Sequence, residues 1–175
     1  MSGDVKMSNP LLAQGTLPAF AEIRPEHVGP ALDDLLPAAD AALEQAVSDA
    51  VGTDYDALSS VLDVPLERLG RAWGAVAHLN AVADSPELRA AYNANLGRVT
   101  DFYTRLGADE RLYAKYKAVA ASGDALSAPR RRALSNAIRD FVVSAVPGAE
   151  QVVVAMVTIT LFIPCFVDLI SPQAG

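Results

Sequence analysis

Only one cysteine, Cys165, and two histidines, His27 and His78, occur in 175 residues. A lone thiol excludes any internal disulfide. The opening stretch MSGDVKMSNP has no apolar core of the kind a secretory signal needs, so the expected compartment is the reducing cytoplasm. A zinc hydrolase draws about three protein ligands onto the metal, typically two histidines one helical turn apart with a glutamate base beside them. His27 and His78 stand far apart with no HExxH, so no metal ligands are assigned. There is no Gly-x-Ser-x-Gly elbow and no glycine-rich phosphate cradle, and the apolar run around Cys165 disfavours a reactive thiolate. The sequence therefore offers no catalytic residue, no cofactor-binding residue and no resident cofactor.

Positive charge is also in short supply. The net charge is −7 and the pI about 4.7, which repels phosphate backbones and anionic lipid and leaves nucleic acid out of the expected partners. Charge of either sign nearly vanishes towards the C-terminus, where residues 146–175 carry only Glu150 and Asp168. Two compositions meet near Val146.

What is present before that point is helical periodicity. Prolines at 10, 18 and 25 forbid a continuous helix at the start, so Asn9 to Pro25 reads as an extended arm packed by its apolar residues. From Pro30, the residues Leu32, Leu35, Leu36, Ala39, Leu43 and Val47 form a stripe that stops at Val51-Gly52-Thr53-Asp54. Between Asp56 and Val82, Leu58, Leu62, Leu66, Leu69, Trp73, Val76 and Leu79 repeat at threes and fours, with Pro65 as a point of kinking or restart. Asp84-Ser85-Pro86-Glu87 opens a third helix with Leu88, Tyr92, Leu96, Val99, Tyr103 and Leu106 on one face, closed by Gly107. Asp109 to Ala121 predicts a shorter fourth, with Leu112, Tyr116 and Val119 inward and an end at Ser122-Gly123. Ser127-Ala128-Pro129 opens a fifth, with Leu134, Ile138, Phe141 and Val142 on one face. The expected fold is all-α, an antiparallel bundle of about five helices after an extended N-terminal arm, with an atypical apolar C-terminal tail.

The residues with chemical potential have structural readings. Arg130-Arg131-Arg132 fans over about 200° of a helix and forms no single basic patch. Trp73 and Tyr92, Tyr103, Tyr113 and Tyr116, at helical spacing, read as core rather than as a stacking surface for peptides. Asp33 and Asp34 are adjacent and point apart, which does not suit paired acid–base work.

Taken in order, several segments resemble a known family. They are Asn9-Pro10-Leu11-Leu12, Leu17-Pro18-Ala19-Phe20, Arg24-Pro25-Glu26-His27-Val28, Ala77-His78-Leu79-Asn80 and Ser85-Pro86-Glu87-Leu88-Arg89-Ala90-Ala91-Tyr92. Arg111-Leu112-Tyr113-Ala114-Lys115-Tyr116 and Asn136-Ala137-Ile138-Arg139-Asp140-Phe141 continue the series. Together they are similar to the N-terminal region of oligopeptidase A-type members of the thimet oligopeptidase family of zinc metallopeptidases. The resemblance implies an all-α enzyme whose two helical lobes flank a deep channel, with zinc held by HExxH and a later glutamate, and short peptides as substrates. It places the present helices in the channel wall and the zinc motif beyond residue 175. No catalytic or metal-binding role carries over to any residue of this chain.

The resemblance ends near Ser144. After Val146-Pro147-Gly148 comes VVVAMVTITLFIPCFVDLI at 152–170, in which fifteen of 19 residues are apolar and ten β-branched. Three readings of the tail stand side by side: non-family sequence following a truncated or frame-shifted gene, a membrane anchor, or a strand pair or helix that completes the core. The expected organisation is a disordered extension at 1–8, a helical domain at 9–145 and the apolar tail at 146–175. The whole is expected to be an enzyme fragment inactive alone. The alternative is a non-catalytic binding or scaffold module that uses residues 152–170 for self-association or anchoring.

Overall fold

The computed structural model describes residues 9–14, 17–122 and 126–144. Five helices carry it: α1 (Pro25–Val47), α2 (Tyr55–Val82), α3 (Pro86–Gly107), α4 (Glu110–Ala121) and α5 (Ala128–Ser144). A single 3-10 turn at Phe20–Glu22 precedes them, and no strand occurs among the described residues. The extension expected at 1–8, the helix stop at Gly123, Cys165 and the apolar tail lie outside the described residues.

The first helix begins at Pro25, five residues earlier than the apolar stripe suggests, because its start is set by a cap rather than by the stripe. The Arg24 backbone amide donates to Nδ1 of His27 at 3.0 Å, and Pro25 occupies the first helical position, where its missing amide costs nothing. Pro30 and Pro37 then fall inside the helix, where each removes one intrahelical hydrogen bond. Both face solvent, so water reaches the freed carbonyls. Nine buried residues, from Val28 to Ala46, hold the helix together in spite of them. Pro65 is likewise accommodated within one continuous α2.

The starts of α3 and α4 follow their sequence signals, whereas α2 is capped by Asp54, a residue read only as part of the stop of the first helix. Asp54 accepts from the Ala57 amide at 2.8 Å, Ser85 from the Leu88 amide at 3.1 Å, and Asp109 from the amides of Arg111 and Leu112 at 2.9 and 3.1 Å. Each satisfies amides that the first helical turn leaves without partners.

Cross-helix ion pairs reveal the directions of the helices. Arg98 meets Asp33 and Arg105 meets Asp40, so α1 and α3 run parallel, seven residues advancing on one as on the other. Between them α2 runs back: its C-terminal half (Leu69, Trp73, Val76) packs near the start of α1 and its N-terminal half (Leu58, Leu62) near the end of α1. The joint after α3 is a two-residue break, Ala108-Asp109. Past it, Arg111 meets Glu44, and Lys115 donates to the carbonyls of Ser48, at 3.0 Å, and Val51. Thus α4 continues along α1 instead of doubling back on α3, and α5 packs against α4.

Two hydrophobic clusters result. The first joins Leu11 of the arm to α1, α2 and α3 around Phe102, Leu32, Leu69 and Val99. The second joins Leu43, Ala46, Leu58, Leu62, Leu112, Val119 and Leu134 from α1, α2, α4 and α5. Leu66 and Leu106 pack against both, so the clusters adjoin. Two stripe positions depart from expectation. On α3, Leu96 is exposed while Phe102 and Asn95 are buried, because the buried face follows 88, 95, 99 and 102. On α5, Val142 is 54% exposed instead of inward.

Candidate functional site

The arm, the α1 start and the C-terminal half of α2 come together at one end of the bundle. Asn9 is buried; its Nδ2 donates to the His27 carbonyl at 2.9 Å, and its Oδ1 accepts from the Leu11 amide at 3.0 Å. This ties the arm to the first turn of α1, whose cap is the His27 ring itself. Further along the arm, the Phe20 ring lies 5.4 Å from the His78 ring on α2. Leu17 and Val82, near this contact in sequence, are well exposed. Inside, Trp73 stacks on Tyr92 with ring centroids 4.8 Å apart and planes 10° from parallel, an arrangement that fixes α2 against α3.

A seam of charge closes the side of the bundle where α1 meets α3 and α4. Arg98 reaches Asp33 at 2.7 Å, Arg105 reaches Asp40 at 3.0 Å and Asp101 at 2.9 Å, and Arg111 reaches both Glu44 and Asp109 at 2.7 Å. Hydrogen bonding from Arg111 holds the carboxyls of Glu44 and Asp109 below the ordinary range, so they are ionised rather than poised as acids at neutral pH. Burial pushes the phenols of Tyr103 and Tyr116 up to about 12, with Asp63 and Tyr55 adding lesser contributions at Tyr116. Both stay protonated near neutrality, so neither acts as a base there.

The chemically suggestive residues of the sequence are distributed over these structural tasks. His27 presents Nδ1 to a backbone amide, and His78 packs on Phe20. Asp33 is paired with Arg98. The arginine triplet does splay: Arg130 pairs with Asp56 at 2.7 Å and lies 5.7 Å from the Tyr55 ring centroid, Arg131 donates to the Leu126 carbonyl at 3.1 Å, and Arg132 is exposed. Trp73 is buried, and Tyr103 and Tyr116 are largely so. Among the described residues no three His, Cys, Asp or Glu side chains group closely enough to hold a metal ion, so those residues do not fit a zinc centre.

Two structural residues escaped the sequence reading. Asn95 donates to the Ala91 carbonyl at 2.9 Å and accepts from Arg98 at 2.9 Å, so it aims Arg98 at Asp33. Its signal was available in the spacing 88, 92, 95, 99, 102, but an apolar count prefers its neighbour Leu96. Lys115, which closes the loop after α1, has no local signature at all.

These features define a class, a helical domain whose polar side chains serve caps, an arm clasp and an ion-pair seam. The family is defined by sequence comparison: residues 32–151 match the N-terminal domain of neurolysin/thimet oligopeptidase, and the chain belongs to that family. It is 37% identical to oligopeptidase A of Salmonella typhimurium over 143 residues, which is 80% of this chain and 21% of that protein. Oligopeptidase A of Escherichia coli is 36% identical over 143 residues, again 80% and 21%. A probable cytosolic oligopeptidase A of Arabidopsis thaliana is 36% identical over 147 residues, 83% of this chain and 21% of that protein. The chain thus spans about a fifth of the length of these curated relatives.

Proposed function

We propose that this chain is the N-terminal, channel-wall part of an oligopeptidase A-like zinc metallopeptidase that cleaves short peptides in the cytoplasm. The carrying observation is the match to the family's N-terminal domain over residues 32–151. In this reading α1 to α5 shape and stiffen one wall of the peptide channel, and the arm clasp and ion-pair seam keep that wall rigid. The zinc ligands belong to a part of the enzyme outside these 175 residues, and the chain alone has no peptidase activity. Residues 9–145 act as the helical domain, and residues 1–8 and 146–175 are sequence outside it.

The test is an assay of the purified chain on short fluorogenic peptides with added zinc. No turnover is expected. Cleavage that requires zinc and stops on chelation would overturn the claim of inactivity. The claim of a missing catalytic part is tested separately on the DNA downstream of codon 175, where an HExxH is expected in the same or a shifted frame. Its absence from all three forward frames would overturn the claim that a catalytic part follows this chain in the gene.

A further inference from the structure

We propose that the outer face of α2 binds short acidic peptides, whose carboxylates meet Arg68 and Arg71 and whose apolar side chain meets Val64. The inference rests on the channel-wall reading only for the role of the bound peptide as substrate; the surface itself is read from the described residues. The arginines that pair with a carboxylate, Arg89, Arg98, Arg105, Arg111, Arg130 and Arg139, are all exposed. Arg68 and Arg71 are the reverse: both are half-buried, and neither has an ion-pair or hydrogen-bond partner among the described residues. Partial cover removes hydration from a guanidinium without supplying a counter-charge, so these two gain more from an added carboxylate than arginines already paired.

Helical geometry puts these residues in one stripe. Val64, Arg68, Arg71, His78 and Val82 lie within about 40° of a single line along α2, on the side away from Leu62, Leu69 and Trp73. Val64 is 59% exposed and Val82 66%, and at the Val82 end the stripe meets the arm, where Phe20 lies against His78. The acidic residues of α2, Asp56, Asp63 and Glu67, all fall to one side of the line; Asp56 is taken up by Arg130, and Asp63 accepts from the Ser59 hydroxyl. In a chain of net charge −7 this leaves a cationic face edged by exposed valines. The same net charge repels a polyanion such as nucleic acid or an anionic bilayer, which would meet the whole molecule, whereas a short peptide meets this face alone. An extended peptide sets alternate side chains about 6.6 Å apart on one side, so three of them in a row span about 13 Å. Val64 to Arg71 advances about 10 Å along the helix, and the flexible glutamate and arginine side chains take up the difference. A peptide of the order Leu-Ala-Glu-Ala-Glu therefore matches Val64, Arg68 and Arg71 in turn.

The test titrates the full isotope-labelled chain, at a concentration where light scattering gives a single mass, with end-capped Leu-Ala-Glu-Ala-Glu and reads the backbone amides by NMR. Saturable shifts are expected at residues 64–71, with affinity falling as salt is added. Arg68→Gln combined with Arg71→Gln is expected to weaken binding at least about fivefold, whereas Arg132→Gln on α5 leaves it unchanged. The neutral peptide Leu-Ala-Gln-Ala-Gln is expected to lose as much affinity as the double variant, and it carries the same test if that variant loses its helical circular dichroism. Absence of shifts at 64–71 overturns the proposal, as does equal binding of the acidic peptide, the neutral one and Leu-Ala-Lys-Ala-Lys. Inorganic phosphate that moves the same amides as strongly also overturns it, because the face is then a simple anion site. So do α2 shifts that follow protein concentration instead of peptide, which make a second copy the occupant. The peptidase reading has its own tests in zinc-dependent turnover and the downstream HExxH, so the two fail separately.

Discussion

The half of the molecule built on the first cluster and the half built on the second use the same helices differently. In the first, the arm, α1, α2 and α3 surround Phe102 and Val99, both 2% exposed or less, and a buried asparagine locks the arm in place. In the second, Leu112 and Val119 are equally well buried, and both clusters have a partly covered rim, but along α5 only Leu134 is buried while Ile138 and Phe141 are partly covered and Val142 is 54% exposed. The difference shows how a helix can be amphipathic yet incompletely housed. A cap and the seam fix where α4 lies; only neighbouring apolar surface finishes the burial of α4 and α5.

The sharpest way to break that comparison is to empty the same aromatic volume in each half. Phe102→Ala removes a ring that is 1% exposed and is expected to cost about 3–5 kcal/mol, read by urea denaturation of the full chain. Phe141→Ala removes a partly covered ring that touches Tyr113 and Tyr116, and is expected to cost about 1–2 kcal/mol. Equal losses would mean that the second half is closed as tightly as the first.

Alkaline titration sharpens it further, because each half holds one phenol that partial burial pushes up. Tyr103 and Tyr116 are raised from 10.0 to about 12, so the folded chain holds these protons more tightly than the unfolded chain does. Their contribution is fully present below pH 10.0 and is lost as pH rises towards 12, at most roughly 2.7 kcal/mol for each phenol. Ultraviolet absorbance of tyrosinate against pH should show Tyr116 titrating before Tyr103 if water enters the second half more readily. Tyr103→Phe and Tyr116→Phe assign the two steps, and the reverse order contradicts the comparison.

Much of this architecture was legible in the sequence because local rules and burial agreed. Ser85-Pro86-Glu87 and Asp109 mark helix starts, and the stripes of α1 and α2 point to their buried faces. Where they disagreed, tertiary context decided. The start of α1 depended on a histidine cap outside the usual set of capping residues, and Leu96 gave way to Asn95 because a buried amide with two partners serves the interface better than a leucine on the wrong side of the helix. Val142 looked inward by spacing, but a stripe specifies only which side of a helix is apolar. It does not say whether a neighbour is there to receive it. The candidate site was legible mainly through family resemblance, since no local constellation carried chemistry.

A subtler break targets the arm. Asn9→Ala removes the bond to the His27 carbonyl and the bond from the Leu11 amide, with an expected cost of about 1–2 kcal/mol. Hydrogen exchange should accelerate in residues 9–14 and the first turn of α1 while α4 and α5 keep their protection. Acceleration spread evenly over all five helices would show that the arm supports the whole bundle and not its first half alone.

The smallest expected effect concerns the ion-pair seam, which runs past both halves and is the remaining candidate for what unites them. Asp33 and Arg98 are 66% and 42% exposed, and an exposed pair of this kind contributes about 0.2–1 kcal/mol. Asp33→Asn should therefore cost less than about 1 kcal/mol, and the cost should shrink as salt screens the pair. Arg98 keeps its bond to Asn95 in this variant, so side-chain order on α3 is preserved and the measurement isolates the charge. Acid provides the complementary test at the other end of the seam. Because Arg111 depresses Glu44 and Asp109, their contribution is present above the ordinary carboxylate range and is lost as pH falls through their lowered values, whereas Arg111→Gln removes most of that dependence. If Asp33→Asn instead costs 2 kcal/mol or more, in low and high salt alike, then charge joins the two clusters. The expected small, salt-sensitive loss assigns that task to Leu66 and Leu106, which touch both.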